Sequence, residues 1–346
     1  MTDSSQPSSL SSPRPLGRAR VQAIGLGCMN VCHAYGAALP DEQARALIRQ
    51  ALDLGVDHFD TATLYGFGAS ETLVGQALRG ERQRFFLASK CGMGGVDVEG
   101  SGRLVRVIDG RPATLRAQCE ASLRRLQTDH IDLYYLHRHD PRVPIAESVG
   151  ELARLQAEGK IGGIGLSEVS VALLRQAHAE APITAIQNEF SLWTRNPEIA
   201  LLDATRELGV ALVAFSPLGR GFLTGRLRQV DDLAAGDIRR HMPRFAPDAY
   251  AANLRLLPAL QALADEAGCS LAQLALAWVL AQGTHVHAIP GTQRAEHLRE
   301  NQAALGLTIP PGLIARASAA LRHEQVVGAR YNAQGTSEVF SEEFAS

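Results

Sequence analysis

Short apolar runs separated by amphipathic stretches restrict this chain to very few folds. An opening run at 21–27 is followed by VDHFDTA and then by runs at 85–90, 131–137, 163–167, 184–190, 210–216 and 286–290. Between them the apolar residues recur at helical spacing. Asp41 opens a stretch with Ala44, Leu47, Ile48, Ala51 and Leu52 on one face, and Gly55 ends it. Further helices are expected at 70–79, 113–126, 146–158, 170–178, 197–208, 252–267 and 271–282. Strict alternation of strand and helix implies a parallel sheet, and eight units imply closure into a (β/α)8 TIM barrel. The rival is an open doubly wound sheet, but GLGCMN after the first strand lacks the third glycine of a dinucleotide-binding turn.

A chain of 346 residues suits one such barrel with insertions, at 19–323. Residues 1–18, rich in Ser, Pro and Arg without the apolar centre of a signal peptide, are expected to be a disordered tail. Residues 324–346 form a C-terminal tail that is a candidate for lining a substrate site. The net charge of -2, with no basic stripe, argues against nucleic acid or a membrane surface as partner. No apolar run approaches the roughly 20 residues needed to cross a bilayer. The five cysteines are scattered and form no C-x-x-C pair, which fits reduced thiols in a cytoplasmic protein.

Polar residues fall where the strands stop. HFD ends on Asp60, FFLASK on Lys90 and LYYLH on His137, with Tyr65 shortly after Asp60. On neighbouring parallel strands these groups converge at the carboxyl end of the sheet, where barrel enzymes build their sites. Singly, each has an ordinary explanation as a turn, surface or core residue. Together, a phenol, an ammonium, a carboxylate and an imidazole can transfer a proton. The triplet His137-Arg138-His139 leaves open a metal-chelating H-x-H with Asp60 or Asp140, although it follows the fourth strand rather than the first. Segment 91–112, Gly-rich and expected as a mobile loop or a hairpin, and loop 217–250 are long enough to contact a substrate, with Met29, Tyr35 and Phe67 as apolar walls and Phe190 and Trp193 as either wall or core. His33 is expected to be solvated.

The runs FDTATLYG, ASK, LHRHDP, GLSEVS, QNEFSLW, FSPLGRGFLTG and IPGTQRAEHLREN follow the order seen in aldo-keto reductases. The chain resembles that family from about Val21 to past Asn301, and most of all its bacterial and plant branch with an extended loop after strand three. The resemblance implies reduction of aldehydes or ketones with NADPH, NADH being the less favoured cofactor, and no metal. It makes Tyr65 the general acid, Lys90 and Asp60 its tuning pair, and His137 the group that orients the substrate oxygen. An adjacent ammonium favours phenolate and is expected to lower the tyrosine pKa.

For the cofactor, the resemblance places Phe215 against the nicotinamide and Ser167, Glu168 and Gln187 at its carboxamide. Ser216, Leu218, Gly219 and Gly221 offer backbone to the pyrophosphate, with charge from Arg220. Gly291, Thr292, Arg294, Glu300 and Asn301 meet the adenosine end, Arg294 holding the 2′-phosphate. Three positions depart from the common pattern: Glu168 replaces Asn, Gly291 replaces Lys, and His297 replaces Arg. A rival implied by the same resemblance is a nicotinamide-binding regulatory subunit with little turnover.

Overall fold

The computed structural model describes residues 10–97 and 100–344. Eight parallel strands pair in sequence order: β1 (Leu26–Gly27), β2 (His58–Asp60), β3 (Phe86–Cys91), β4 (Leu133–Leu136), β5 (Ile164–Ser167), β6 (Ile183–Glu189), β7 (Ala211–Phe215) and β8 (Val286–Ala288). A parallel bridge between Ile24 and Ala288 joins the last strand to the first. Gly25 N donates to Ala288 O at 2.9 Å and Ala288 N to Ala23 O at 2.8 Å, which closes the barrel. The expected (β/α)8 architecture is present.

Two apolar layers follow from the strand alternation. Phe86, Ala88, Leu133, Tyr135, Ala185, Ala211 and Val213 point inward and fill the barrel. Tyr135 needs a gap opposite: a Cβ at Gly165 would lie 2.2 Å from its ring. The outward residues pack under the helices, whose apolar faces match the sequence reading; helix Asp41–Asp53 buries Ala44, Leu47, Ile48, Ala51 and Leu52.

The structure departs from expectation in three places. Residues 1–9 of the expected tail lie outside the described residues, but 10–18 are not a loose tail. Arg14–Leu16 pairs antiparallel with Ala19–Val21, and this hairpin plugs the amino-terminal mouth of the barrel with Leu16 fully buried. Arg14 fastens it by donating to Leu280 O at 3.0 Å, Gly283 O at 2.8 Å and Val286 O at 2.6 Å. The expected single helix 252–267 is two, Pro247–Leu254 and Leu257–Glu266, because Pro258 cannot donate to the preceding turn. Loop 91–112, expected as a loop or a hairpin, forms the hairpin Met93–Asp97 with Leu104–Ile108. Helices Ala295–Ala303, Pro311–Ala320 and Ala333–Ser337 were not anticipated.

No single helix among the described residues is long and apolar enough to cross a membrane; only the bent pair Pro247–Glu266 and Leu271–Leu280 passes by length and composition. All of Leu271–Leu280 except Gln273 is buried against the barrel.

Candidate active site

The strand ends deliver four polar side chains to one place. Lys90, fully buried, pairs with the carboxylate of Asp60. Its ammonium also donates to Thr61 O at 2.9 Å, and Gln187 Nε2 donates to the other Asp60 oxygen at 2.8 Å. Tyr65 stands on a turn just past β2, where Gly66 adopts φ 59°. Its ring centroid lies 5.0 Å from Lys90 Nζ and 5.7 Å from the His137 ring, edge-on. Asp60, Tyr65 and His137 line a cleft of about 1040 Å³, with Lys90 behind them.

Electrostatics assign protonation states. Burial works against the Lys90 ammonium, but Asp60 and Tyr65 together outweigh it and hold the lysine above its ordinary pKa. Burial raises Tyr65, and although the charge of Lys90 pulls it down, the phenol stays above its usual value. The expected net lowering is therefore not found: the ammonium acts in that direction, and desolvation wins. Burial, then the charges of Arg138, Lys90 and Arg106, push His137 well below the usual histidine range. The site at neutral pH is a protonated phenol beside a neutral imidazole.

The cleft runs on to the ends of β7 and β8. It is lined by Ser167, Gln187, Phe215, Ser216, Leu218, Arg220, Gly221, Gly291, Thr292, Arg294, Glu300 and Asn301. The anticipated walls Met29, Tyr35 and Phe67 are there too. At Gly291 a Cβ would come within 2.6 Å of Asn30 Oδ1, and Gly221 adopts φ 93°, so bare backbone borders the cleft at both loops. An extended molecule carrying phosphates fits such a channel.

Several expected contacts fall elsewhere. Glu168 does not face the cleft. Its carboxylate accepts from Glu189 N at 2.7 Å, Arg330 Nη2 at 2.9 Å and Ser341 Oγ at 2.9 Å. A buried glutamate next to a buried arginine pairs with it rather than with a ligand. Gly219 packs on Trp193 instead of lining the cleft; a Cβ there would meet Trp193 at 3.1 Å. The charge of Arg220 is taken by Glu189 at 2.9 Å. Phe190 and Trp193 are core, Trp193 stacked on Phe222 at 4.1 Å. His139 packs on Phe340 at 5.1 Å, so the H-x-H triplet does not put two imidazoles side by side in the cleft. Among the described residues no group of three or more His, Cys, Asp or Glu side chains is arranged to hold a metal.

Other lining residues were missed. His33 lies 5.7 Å from the Tyr65 ring, on the cleft wall rather than free in solvent. Arg226 reaches from the loop after β7 to Glu300 at 2.8 Å and hydrogen-bonds His297, bridging the loops after β7 and β8 across the cleft. Arg106, on the hairpin, pairs with Glu338 of the C-terminal segment, which also lines the cleft through Tyr331, Asn332 and Val339. Arg138 was set aside as the middle of H-x-H, although its place next to a strand-terminal histidine is itself a signal.

The sequence model of the Aldo/keto reductase family matches residues 23–321. Among solved structures, the chain superposes on a glycerol dehydrogenase of Gluconobacter oxydans with a TM-score of 0.83 at 28% identity, over 94% of this chain and 98% of that one. An aldo-keto reductase of Bacillus halodurans in its holo form gives 0.75 at 27% identity, over 93% and 99%. An aldo-keto reductase of Klebsiella pneumoniae in complex with NADPH gives 0.68 at 29% identity, over 92% and 99%.

Proposed function

The chain belongs to the aldo/keto reductase family, and we propose that it reduces aldehydes or ketones to alcohols with NADPH, Tyr65 supplying the proton. It is an NADP-dependent oxidoreductase by family, and a similar chain has been crystallised with NADPH. The observation that carries the finer reading is a protonated phenol at the edge of the cleft, flanked by a buried Lys90–Asp60 pair and a neutral His137.

NADPH, when bound in the cleft, would supply a hydride to the carbonyl carbon. Charge then grows on the carbonyl oxygen, and Tyr65 gives it the phenolic proton. The phenolate that results is stabilised by Lys90, whose ammonium is held in place by Asp60 and Thr61 O. A neutral His137 orients the carbonyl by donating a hydrogen bond without competing as an acid. Ser167 and Gln187 would hold the carboxamide end of the cofactor, Phe215 would cover the ring, and Arg294 with Arg226 and His297 would meet the 2′-phosphate. The unpaired state of all five cysteines fits a cytoplasmic enzyme.

The test follows reduced-nicotinamide absorbance with NADPH or NADH and a panel of aldehydes and ketones. Tyr65→Phe should lower turnover by roughly 10²- to 10⁴-fold, the usual worth of a positioned acid, with NADPH affinity retained. Full activity in that variant sinks the assignment. Tight NADPH binding with no turnover of any carbonyl by the unaltered protein would instead favour a regulatory subunit.

A further inference from the structure

Six arginines line the cleft, and five of them are matched by a carboxylate. Arg106 pairs with Glu338, Arg220 with Glu189, Arg226 with Glu300, Arg239 with Asp237 and Arg294 with Glu296. The remaining cation of the reaction centre, Lys90, is matched by Asp60. Arg138 has no carboxylate within ion-pair range among the described residues. It is nevertheless held in position: Nη1 donates to His137 O at 2.7 Å and to Ser167 Oγ at 3.1 Å. Its Nε and Nη2 have no acceptor among the described residues. A half-buried guanidinium thus sits in the wall beside Tyr65 and His137 with one edge fixed and the rest of its planar fork unassigned.

Resting on the reductase reading, we propose that Arg138 binds an anionic group on the substrate, so that the preferred substrates are aldehydes or ketones bearing a carboxylate. A planar fork with two adjacent donors matches a carboxylate in bidentate geometry. The other carboxylates at this mouth of the barrel are already committed: Glu168 to Arg330 and Glu189 to Arg220. They leave the positive charge of Arg138 uncancelled. That charge is felt at both Tyr65 and His137, consistent with its place at the reacting end rather than the adenosine end. The apolar walls of Met29, Leu64 and Met93 accommodate the carbon chain between carbonyl and anion.

The experiment compares kcat/KM for 4-oxobutanoate against its methyl ester, and for 4-carboxybenzaldehyde against its methyl ester, with NADPH held saturating. Each pair differs in charge at nearly constant shape. The unaltered enzyme should favour at least one acid over its ester by roughly 10- to 100-fold, the worth of a charge-assisted hydrogen-bond pair. Arg138→Ala should collapse that ratio mainly through KM of the acid, and Arg138→Lys should restore part of it. Using the ratio removes any loss common to both substrates. Esters reduced as well as acids by the unaltered enzyme, or a ratio that survives Arg138→Ala, overturns this inference alone. Equal losses for acid and ester together with weakened NADPH binding also overturn it, placing Arg138 on the cofactor instead. No turnover of the four compounds by an enzyme that reduces other carbonyls overturns this inference alone, whereas no turnover of any carbonyl defeats the reductase reading and this inference falls with it.

Discussion

Acid should weaken the barrel from its closed end, through two histidines that have no part in the chemistry. His58 on β2 and His287 on β8 are fully buried, with ring centroids 6.3 Å apart. Neither nitrogen of His58 has a hydrogen-bond partner, and His287 keeps one, Pro15 O of the plugging hairpin at 3.1 Å. Burial pushes each from the ordinary 6.5 down to about 3. A base whose folded pKa is depressed costs no stability above its unfolded pKa. As pH falls below 6.5 the unfolded chain takes up a proton that the folded chain refuses, and stability drops until the folded pKa is reached. At about 1.4 kcal/mol per pH unit, His58 alone costs ~2 kcal/mol by pH 5, and the pair ~4 kcal/mol. That is a large share of a typical total of roughly 5–15 kcal/mol. The assay is urea unfolding, followed by fluorescence of the buried Trp193 and Trp278, at about pH 7.5 and about pH 5. His58→Leu forfeits no hydrogen bond and should lose ~2 kcal/mol less stability than the unaltered protein between those conditions. Titrating carboxylates contribute equally to both proteins and cancel. An identical loss in the two proteins refutes the reasoning.

The C-terminal segment hangs on the buried Arg330–Glu168 pair; Arg330→Met strands a buried carboxylate and should cost about 3–5 kcal/mol, read as a lower urea midpoint, with Glu168→Gln/Arg330→Met recovering much of it. Arg294→Ala and Arg226→Ala should each weaken NADPH far more than NADH, by roughly tenfold for one lost charged contact, measured by quenching of protein fluorescence. An unchanged NADPH/NADH ratio in both variants removes the assigned 2′-phosphate site. Because Lys90 is held above its ordinary pKa by Asp60 and Tyr65, Asp60→Asn should leave the ammonium buried without its counter-charge and shift the alkaline limb of the rate profile.

The barrel was legible because its signal is periodic and repeated. Strand β3 shows why the tetrad was legible too: every residue of FLASKC is buried, so a lysine in that run must have a partner, and the neighbouring strand ends on an aspartate. Other features were hidden for physical reasons. Leu16 and Val21 belong to short strands that carry too few residues for a period to register, and what orders them is Arg14 reaching carbonyls more than 260 residues away. The break at Leu254–Leu257 lay under a continuous leucine pattern, although Pro258 marked it. The C-terminal helix Ala333–Ser337 has no buried residue of its own, so no apolar face announces it.

Glu168 shows how a departure from a family pattern is better read through charge than through the ligand. Beside Ser167 it looked like an altered cofactor contact, and that reading assumed its side chain kept the direction of an asparagine. A carboxylate placed there without a cation would carry a large desolvation cost, so the position only makes sense with a partner. Arg330 supplies it, 162 residues along the chain and 4% exposed. Phe340 N then donates to Glu168 O at 2.8 Å, so the same residue ties the tail by side chain and backbone. Glu168 thereby fastens the C-terminal segment that forms one wall of the cleft. By the same bookkeeping of charges, the arginine next to His137 stands out among its five neutralised neighbours, and its unmet partner is sought in the substrate rather than in the protein.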